Sequence, residues 1–327
     1  MMRGSSKCWL LIGMMAWGAL AAQDIHFSQV DADPVLLNPA YSGFYQGAGR
    51  FGLIYRNQWA SVSVPFQTFA VTGEMALWRS SNQRNGLSAG LLFFNDHAGT
   101  LGYGTTSGHV SVAYYTALNR AGSSVLSVGL EGAYAQSGFD PSRAEMEDPS
   151  DLVATNRVGY PLLAVGAAWY YQPTGDFHTK VGFSLRNANR PNISYGGLDN
   201  VFLERRYSLF ARAEYRRWQS VSLMPVVLGQ IQGRHRELVY GIDVKWYIEE
   251  GGAREVSLRC GLAFRHGDAV IANVMMEYGP MVFTFCYDAN VSGLAAASHT
   301  VGAFEGGVVY RMSKGAKKRK AIKCPVY

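Results

Sequence analysis

From Arg50 to Met312 the chain is a succession of segments, each about ten residues long, in which apolar and polar side chains alternate. Clusters of Gly, Asn, Asp, Ser and Pro separate them. Alternation gives each strand one apolar and one polar face. After residue 22 no apolar run is long enough for a membrane helix. Strands that alternate throughout, with Phe, Tyr, Trp, Leu and Val on the apolar side, fit a closed barrel whose outside meets lipid and whose inside is polar, because lipid leaves no backbone group unpaired. The expected fold is therefore all-β, a transmembrane antiparallel β-barrel of about 14 strands.

The expected strands lie at about 50–60, 67–78, 86–95, 104–117, 123–138, 161–172, 178–188, 205–216, 221–232, 237–248, 255–266, 269–279, 280–288 and 300–312. Long connections, 139–160, 189–204 and 289–299, follow the fifth, seventh and thirteenth strands, all odd, and short turns follow even ones. Bacterial barrels have this asymmetry, with long loops outside and short periplasmic turns. A soluble β-sandwich, the alternative, does not require it.

The apolar parity runs through Phe51, Leu53 and Tyr55, then Val110, Val112 and Tyr114, and on to Tyr240, Ile242, Val244 and Trp246, with Leu258 and Leu262 beside them. The opposite parity holds Arg56, Glu74, His109, Glu131, Lys180, Arg186, Arg212, Glu214, Arg216, Asp243, Lys245, Arg259 and Arg265. Mixed charges of this kind line a lumen and pair across it, as a knitted interior more readily than as a selectivity filter.

At the N-terminus, Arg3 and Lys7 precede an apolar stretch, Cys8 to Leu20, too short to span a bilayer, and Ala19-Leu20-Ala21 offers a signal-peptidase site. Residues 1–21 read as a signal peptide and the destination as the outer membrane. Residues 22–49 form an irregular segment, because Asn38 precedes a proline and Gly43, Gly47 and Gly49 permit sharp turns. Its Phe27, Leu36, Leu37, Tyr41, Phe44 and Tyr45 are too apolar for a free periplasmic linker. A plug in the barrel mouth and a strap under its floor both satisfy them. The barrel spans 50–312, and 313–327 form a basic tail.

Net charge is +6, but six cations, Lys314, Lys317, Lys318, Arg319, Lys320 and Lys323, crowd the last fifteen residues with no acid among them. Without these and the leader's two, the 24 acidic residues are in slight excess, which removes a nucleic-acid-binding reading. Such a tail suits an acidic partner surface on the periplasmic side, or simply ends the barrel in solvent.

Several stretches mimic chemical motifs without the structural context those motifs need. Gly47-Ala48-Gly49-Arg50-Phe51-Gly52 spells a dinucleotide fingerprint but enters a strand, where the fingerprint must follow one and open a helix. The seven histidines are scattered without metal-ligand spacing, and no cofactor is expected. No nucleophile elbow or catalytic carboxylate pair stands out; Glu74 and Glu131 read as lumen ion-pair partners. Cys260 and Cys286 fall on opposite parities, which argues against a disulfide between them.

Phe27-Ser28-Gln29, Asn38-Pro39-Ala40-Tyr41-Ser42-Gly43 and Tyr55-Arg56-Asn57-Gln58-Trp59 together resemble, in order and spacing, the opening of the PorP/SprF family of Bacteroidetes outer-membrane proteins. Gly182-Phe183-Ser184-Leu185-Arg186-Asn187 leading to Arg190-Pro191-Asn192-Ile193 is similar to that family's mid-barrel segment. The basic stretch closed by Cys324-Pro325-Val326-Tyr327 is similar to its ending, with Tyr where the family pattern has Phe. The resemblance implies a non-enzymatic component of type IX secretion and gliding machinery. It would serve cargo with a C-terminal sorting domain, beside a periplasmic ring of lipoprotein and partner subunits (PorK/PorN-like) and a peptidoglycan-binding linker protein. From its charge, the tail, with Lys317, Lys318, Arg319, Lys320, Lys323, Cys324 and Pro325, is the expected docking element for such a ring. The alternative is a transporter of hydrophobic small molecules, since fatty-acid channels of similar design also carry Asn-Pro-Ala near an N-terminal hatch.

Overall fold

In the computed structural model, the described residues are 27–29, 34–58 apart from 44 and 46, 65–140 apart from 100 and 101, 142, 156–195, 200–250, 255–292 and 301–312. Fourteen antiparallel strands close into one barrel, each paired with its sequence neighbours and β1 with β14. They are β1 Gly49–Gln58, β2 Phe66–Arg79, β3 Asn85–Ala98, β4 Tyr103–Ala117, β5 Ser124–Gly138, β6 Arg157–Tyr171, β7 Phe177–Arg186, β8 Arg206–Trp218, β9 Val221–Gln232, β10 His235–Glu249, β11 Val256–Arg265, β12 Ala269–Tyr278, β13 Met281–Asn290 and β14 Val301–Met312. Among the described residues no helix is long and apolar enough to cross a membrane. The Gly47–Gly52 run does open a strand.

The two faces divide as the alternation predicts. Leu53, Val110, Leu130, Leu163, Leu209 and Leu262 face outward and are exposed, whereas Arg56, Glu74, Glu131, Arg212, Asp243 and Arg259 are buried in the lumen. Aromatic residues ring the exterior near the ends of even strands, among them Trp78, Trp169, Trp218, Trp246, Tyr278 and Tyr310. An apolar band bounded by such a girdle is built for lipid. Cys286 is buried in the lumen while Cys260 lies on the other parity, and both are free thiols.

Departures from simple alternation have local causes. A bulge between Ala76 and Trp78 turns Trp78 outward, onto the same side as Leu77. The β8–β9 pairs lapse between Arg212↔Val226 and Tyr215↔Leu223, opposite Pro225, which has no N–H to donate. Strand β6 begins at Arg157, before Pro161, where the sequence led us to expect its start. Proline is tolerated there because β7 pairs with β6 only from Val165↔Leu185 to Tyr171↔Thr179, so the missing N–H faces an unladdered edge.

The strand ends joined by connections 139–156, 187–205 and 291–300 all lie on the rim opposite the barrel's chain ends. That loop rim is not uniformly long, since β9–β10 and β11–β12 are joined by the tight turns 233–234 and 266–268, where Gly233 and Gly267 take left-handed φ values of 57° and 73°. Described residues of the 187–205 connection fold back into the barrel mouth. Leu203 packs on inward-facing Ala135 and Tyr160, with Ile193, Val158 and Leu162 around them.

Substitution of outward-facing Val244 by Arg is expected to cost about 2–4 kcal/mol of barrel stability if the site lies near the bilayer midplane. Replacing neighbouring Lys245 by Ser should be far milder, since its partner Glu277 retains Arg311 at 3.4 Å. Refolding into lipid vesicles, read by gel mobility before and after heating, separates the two; equal damage would show the assigned faces to be wrong.

Candidate functional site

The segment before β1 supplies the clearest candidate site. Pro34–Leu37 form one helical turn and Pro39–Tyr41 a 3-10 turn, more regular than the glycines and prolines imply, because each proline sits at the start of its turn where no donor is lost. Asn38 between them is extended, with φ −158° and ψ 121°, and its side chain accepts from Ala40 N at 2.9 Å. Gly43 then takes φ +68° against Ser88, a conformation and a closeness that a side chain would obstruct.

This turn lies on the inner face of the wall. Asn38 Nδ2 donates to the carbonyls of Ala167 on β6 and Phe183 on β7, at 3.1 and 3.0 Å. Ser127 on β5 and Ser184 on β7 donate to the carbonyls of Ala40 and Leu37, and Ser42 Oγ is 2.6 Å from Ser111 Oγ on β4. What makes room is glycine. A Cβ at Gly129, Gly166 or Gly182 would collide with Pro39, Asn38 or Tyr41, and one at Gly90 would crowd Ser42. Four strands thus present a smooth seat to Asn38-Pro39-Ala40-Tyr41-Ser42. Tyr41 packs edge-on to Tyr170 and Phe210, at 6.2 and 6.1 Å between centroids, and Lys180 Nζ lies 4.8 Å from its ring centre.

Charged groups hold the segment at both ends. Near the loop rim, Ser28 Oγ donates to Asp288 at 2.5 Å and accepts from Arg56 at 2.8 Å and Arg265 at 2.7 Å. The backbone N–H groups of Ser28 and Gln29 donate to the two carboxylate oxygens of Glu305, at 2.6 and 3.0 Å, and Arg56 also pairs with Glu305. At the opposite rim, Glu74 accepts from Gly43 N at 2.8 Å and pairs with Arg50, while Tyr45 donates to the Glu74 carbonyl. Burial, reinforced by the Glu74 charge, pushes the Tyr45 hydroxyl well above its ordinary pKa and keeps it a neutral donor. Phe27 and Leu36 join a buried cluster with Ile54, Ala70, Leu92 and Phe94. Arg212, Asp243 and Arg259 line a cavity of about 30 Å³ beside Ser28 and Gln29.

A third cluster has the order of a hydrolytic triad. Ser107 Oγ is 2.7 Å from His109 Nε2, and His109 Nδ1 is 2.8 Å from Glu131. Its environment favours a structural role. Arg186 also takes Glu131, at 2.5 Å, Phe94 stacks on the imidazole, and Ser107 is only 2% exposed, so no substrate carbonyl reaches it. No group of three or more potential metal ligands occurs among the described residues.

Four sequence motifs therefore converge. Ser28 meets Arg56; Asn38 and Tyr41 lie against Gly182, with Ser184 on the Leu37 carbonyl beside them; Arg186 reaches Glu131 and, at 3.5 Å, the Val35 carbonyl. Gln58 accepts from Arg56 at 3.1 Å, whereas Tyr55 turns outward. Trp59, residues 1–26 and the tail from 313, including Lys317, Lys318, Arg319, Lys320, Lys323, Cys324 and Pro325, lie outside the described residues. Sequence reasoning missed Asp288 and Glu305, as well as the glycine seat. The readable signal was glycine at inward parity in β3, β5, β6 and β7.

Arg56→Ala should destabilise the barrel by about 3–5 kcal/mol in urea titrations, because it strands buried Glu305 and Asp288. The double change Arg56→Met, Glu305→Met should recover part of that loss. Gly166→Ala should cost about 1–3 kcal/mol by overpacking, and should raise protease cleavage within residues 27–45 while the strands persist.

Residues 19–310 match the family described as "Type IX secretion system membrane protein PorP/SprF". No curated protein matches. Among solved structures, the deltaS2 mutant of the TodX monoaromatic hydrocarbon channel aligns with TM-score 0.50 and 7% identity, covering 86% of this chain and 94% of that one. The toluene transporter TbuX of Ralstonia pickettii aligns with TM-score 0.47 and 12% identity, covering 85% and 93%. Likeness at such identity speaks to the barrel fold alone.

Proposed function

Because this chain belongs to the PorP/SprF family of type IX secretion system membrane proteins, we propose that it acts in the outer membrane as a plugged, non-enzymatic barrel. In this role it supports secretion or surface anchoring of proteins that carry a C-terminal sorting domain. The family match across residues 19–310 carries the reading. Support comes from the interior: a segment bonded to β1, β4, β5, β6, β7, β13 and β14 occupies the lumen as a structural part of the barrel.

The rim bearing the chain ends faces the periplasm in this reading, and the long connections face outward. The partners are then a periplasmic ring of lipoprotein and partner subunit (PorK/PorN-like) and a peptidoglycan-binding linker protein. The basic tail is the docking element, since a run of like charges stays solvated and attracts an acidic surface. Passage of hydrophobic small molecules draws on fold likeness alone and is not adopted.

Deleting residues 314–327 should leave a heat-modifiable barrel in the outer-membrane fraction, but weaken co-purification with ring subunits and reduce cargo secretion. Unchanged co-purification and secretion would refute docking by the tail. Recovery of the full protein in the soluble periplasm would refute the location.

A further inference from the structure

Strand β6 rises to Arg157, but its neighbour β7 stops at Arg186, opposite Ala164. Above that level no strand ladder joins β6 to the wall on this side. One backbone N–H and one side chain of the following connection close the seam instead, against three backbone groups of β6. Ala188 N donates to Leu163 O at 2.9 Å, Leu163 N donates to Asn189 Oδ1 at 3.1 Å, and Asn189 Nδ2 donates to Pro161 O at 2.8 Å. The Asn189 carboxamide thus offers one donor and one acceptor in the place of a missing peptide unit.

Its position is held by strain and by clamps. Asn187 and Arg190 on either side take left-handed φ values of 55° and 45°, a region that asparagine tolerates and that arginine adopts rarely. Arg190 pairs with Glu204 at 2.5 Å, Asn187 Nδ2 donates to Glu204 O at 3.3 Å, and Arg205 Nε to Ala188 O at 3.1 Å. Asn189 itself is exposed.

We propose that the upper edge of β6, at Pro161 and Leu163, is a strand-accepting site, capped at rest by Asn189 and occupied in the working protein by an extended polypeptide. The occupant follows from the groups exposed. Moving Asn189 away leaves a carbonyl and an N–H spaced for a β-ladder, in a barrel wall where unpaired backbone groups are costly, and an acyl chain pairs with neither. Pro161 contributes only an acceptor, so the resting edge is a poor template for indiscriminate pairing. The seated N-terminal segment bears on the neighbouring strand β7: Ser184 and Arg186, five and three residues before the capping asparagine, hold Leu37 and Val35. The inference rests on the secretion reading above and names the kind of partner.

Hydrogen exchange in detergent micelles tests it. Asn189→Ala should assemble normally and exchange the Leu163 amide about tenfold faster, with Val181 unchanged. A short synthetic peptide of alternating valine and threonine should restore the protection. Unaltered exchange at Leu163, or protection without peptide from the detergent chains already present, overturns the proposal. If that variant fails to assemble, the pair Leu163→Cys, Ala188→Cys tests the seam in cells: oxidation should block cargo secretion and reductant restore it. Full secretion with the seam oxidised overturns strand acceptance, while loss of secretion on tail deletion in the same strain would leave the proposed function standing.

Discussion

Everything in this molecule follows from the requirement that backbone N–H and C=O groups be paired where water is absent. Fourteen strands meet it by closing β1 on β14, which removes every edge over the height that the ladders share. Closure creates a second problem. A ring of this size encloses more space than its own inward side chains fill, and the alternation that greases the exterior makes the interior polar. The chain answers by laying its own N-terminal segment along the inner wall.

That answer explains why the interior is charged yet ordered. Burying an ion is expensive, and an ion pair offsets the expense only when its remaining lone pairs and protons are also satisfied. Arg56, Arg265, Asp288 and Glu305 meet the condition through Ser28, whose hydroxyl both donates and accepts, and through two backbone N–H groups of the segment. Without Ser28 and Gln29, Glu305 would keep Arg56 but lose two donors. The segment and the charges therefore depend on each other: the wall alone leaves its carboxylates short of partners.

Much of this was legible in the alternating pattern, and the limits are instructive. Strand number, facing and the lumen position of Glu74 and Glu131 followed from period-two patterning, because a one-residue slip would invert every side chain. Strand ends were less legible where tertiary context decides them. Pro161 looked like a beginning because a strand interior seldom spares a donor, and only the shortness of β7 shows that none was needed. His109 looked solitary because its partners, Ser107 two residues away and Glu131 on the next strand, come together only once β4 pairs with β5. Glycines at inward parity passed for turn composition; their meaning depends on what lies against them.

The glycine seat also bears on how the N-terminal motif is used. A motif read by a partner must show its side chains, yet Asn38, Tyr41 and Ser42 are at most 2% exposed. Asn38 and Ser42 spend their hydrogen bonds on β4, β6 and β7, the Tyr41 ring packs on β6 and β8, and Ala40 presents its carbonyl to Ser127. The motif is thus an internal fastening, and its sequence is dictated by the shape of the wall: Asn because both ends of its amide are used, Pro because the turn begins there, and small residues because β3 and β5 come close. Recognition by other proteins must then fall to groups that the barrel does not consume. Among the described residues the upper edge of β6 differs from the rest of the wall, since one exposed asparagine takes the place that elsewhere belongs to a strand.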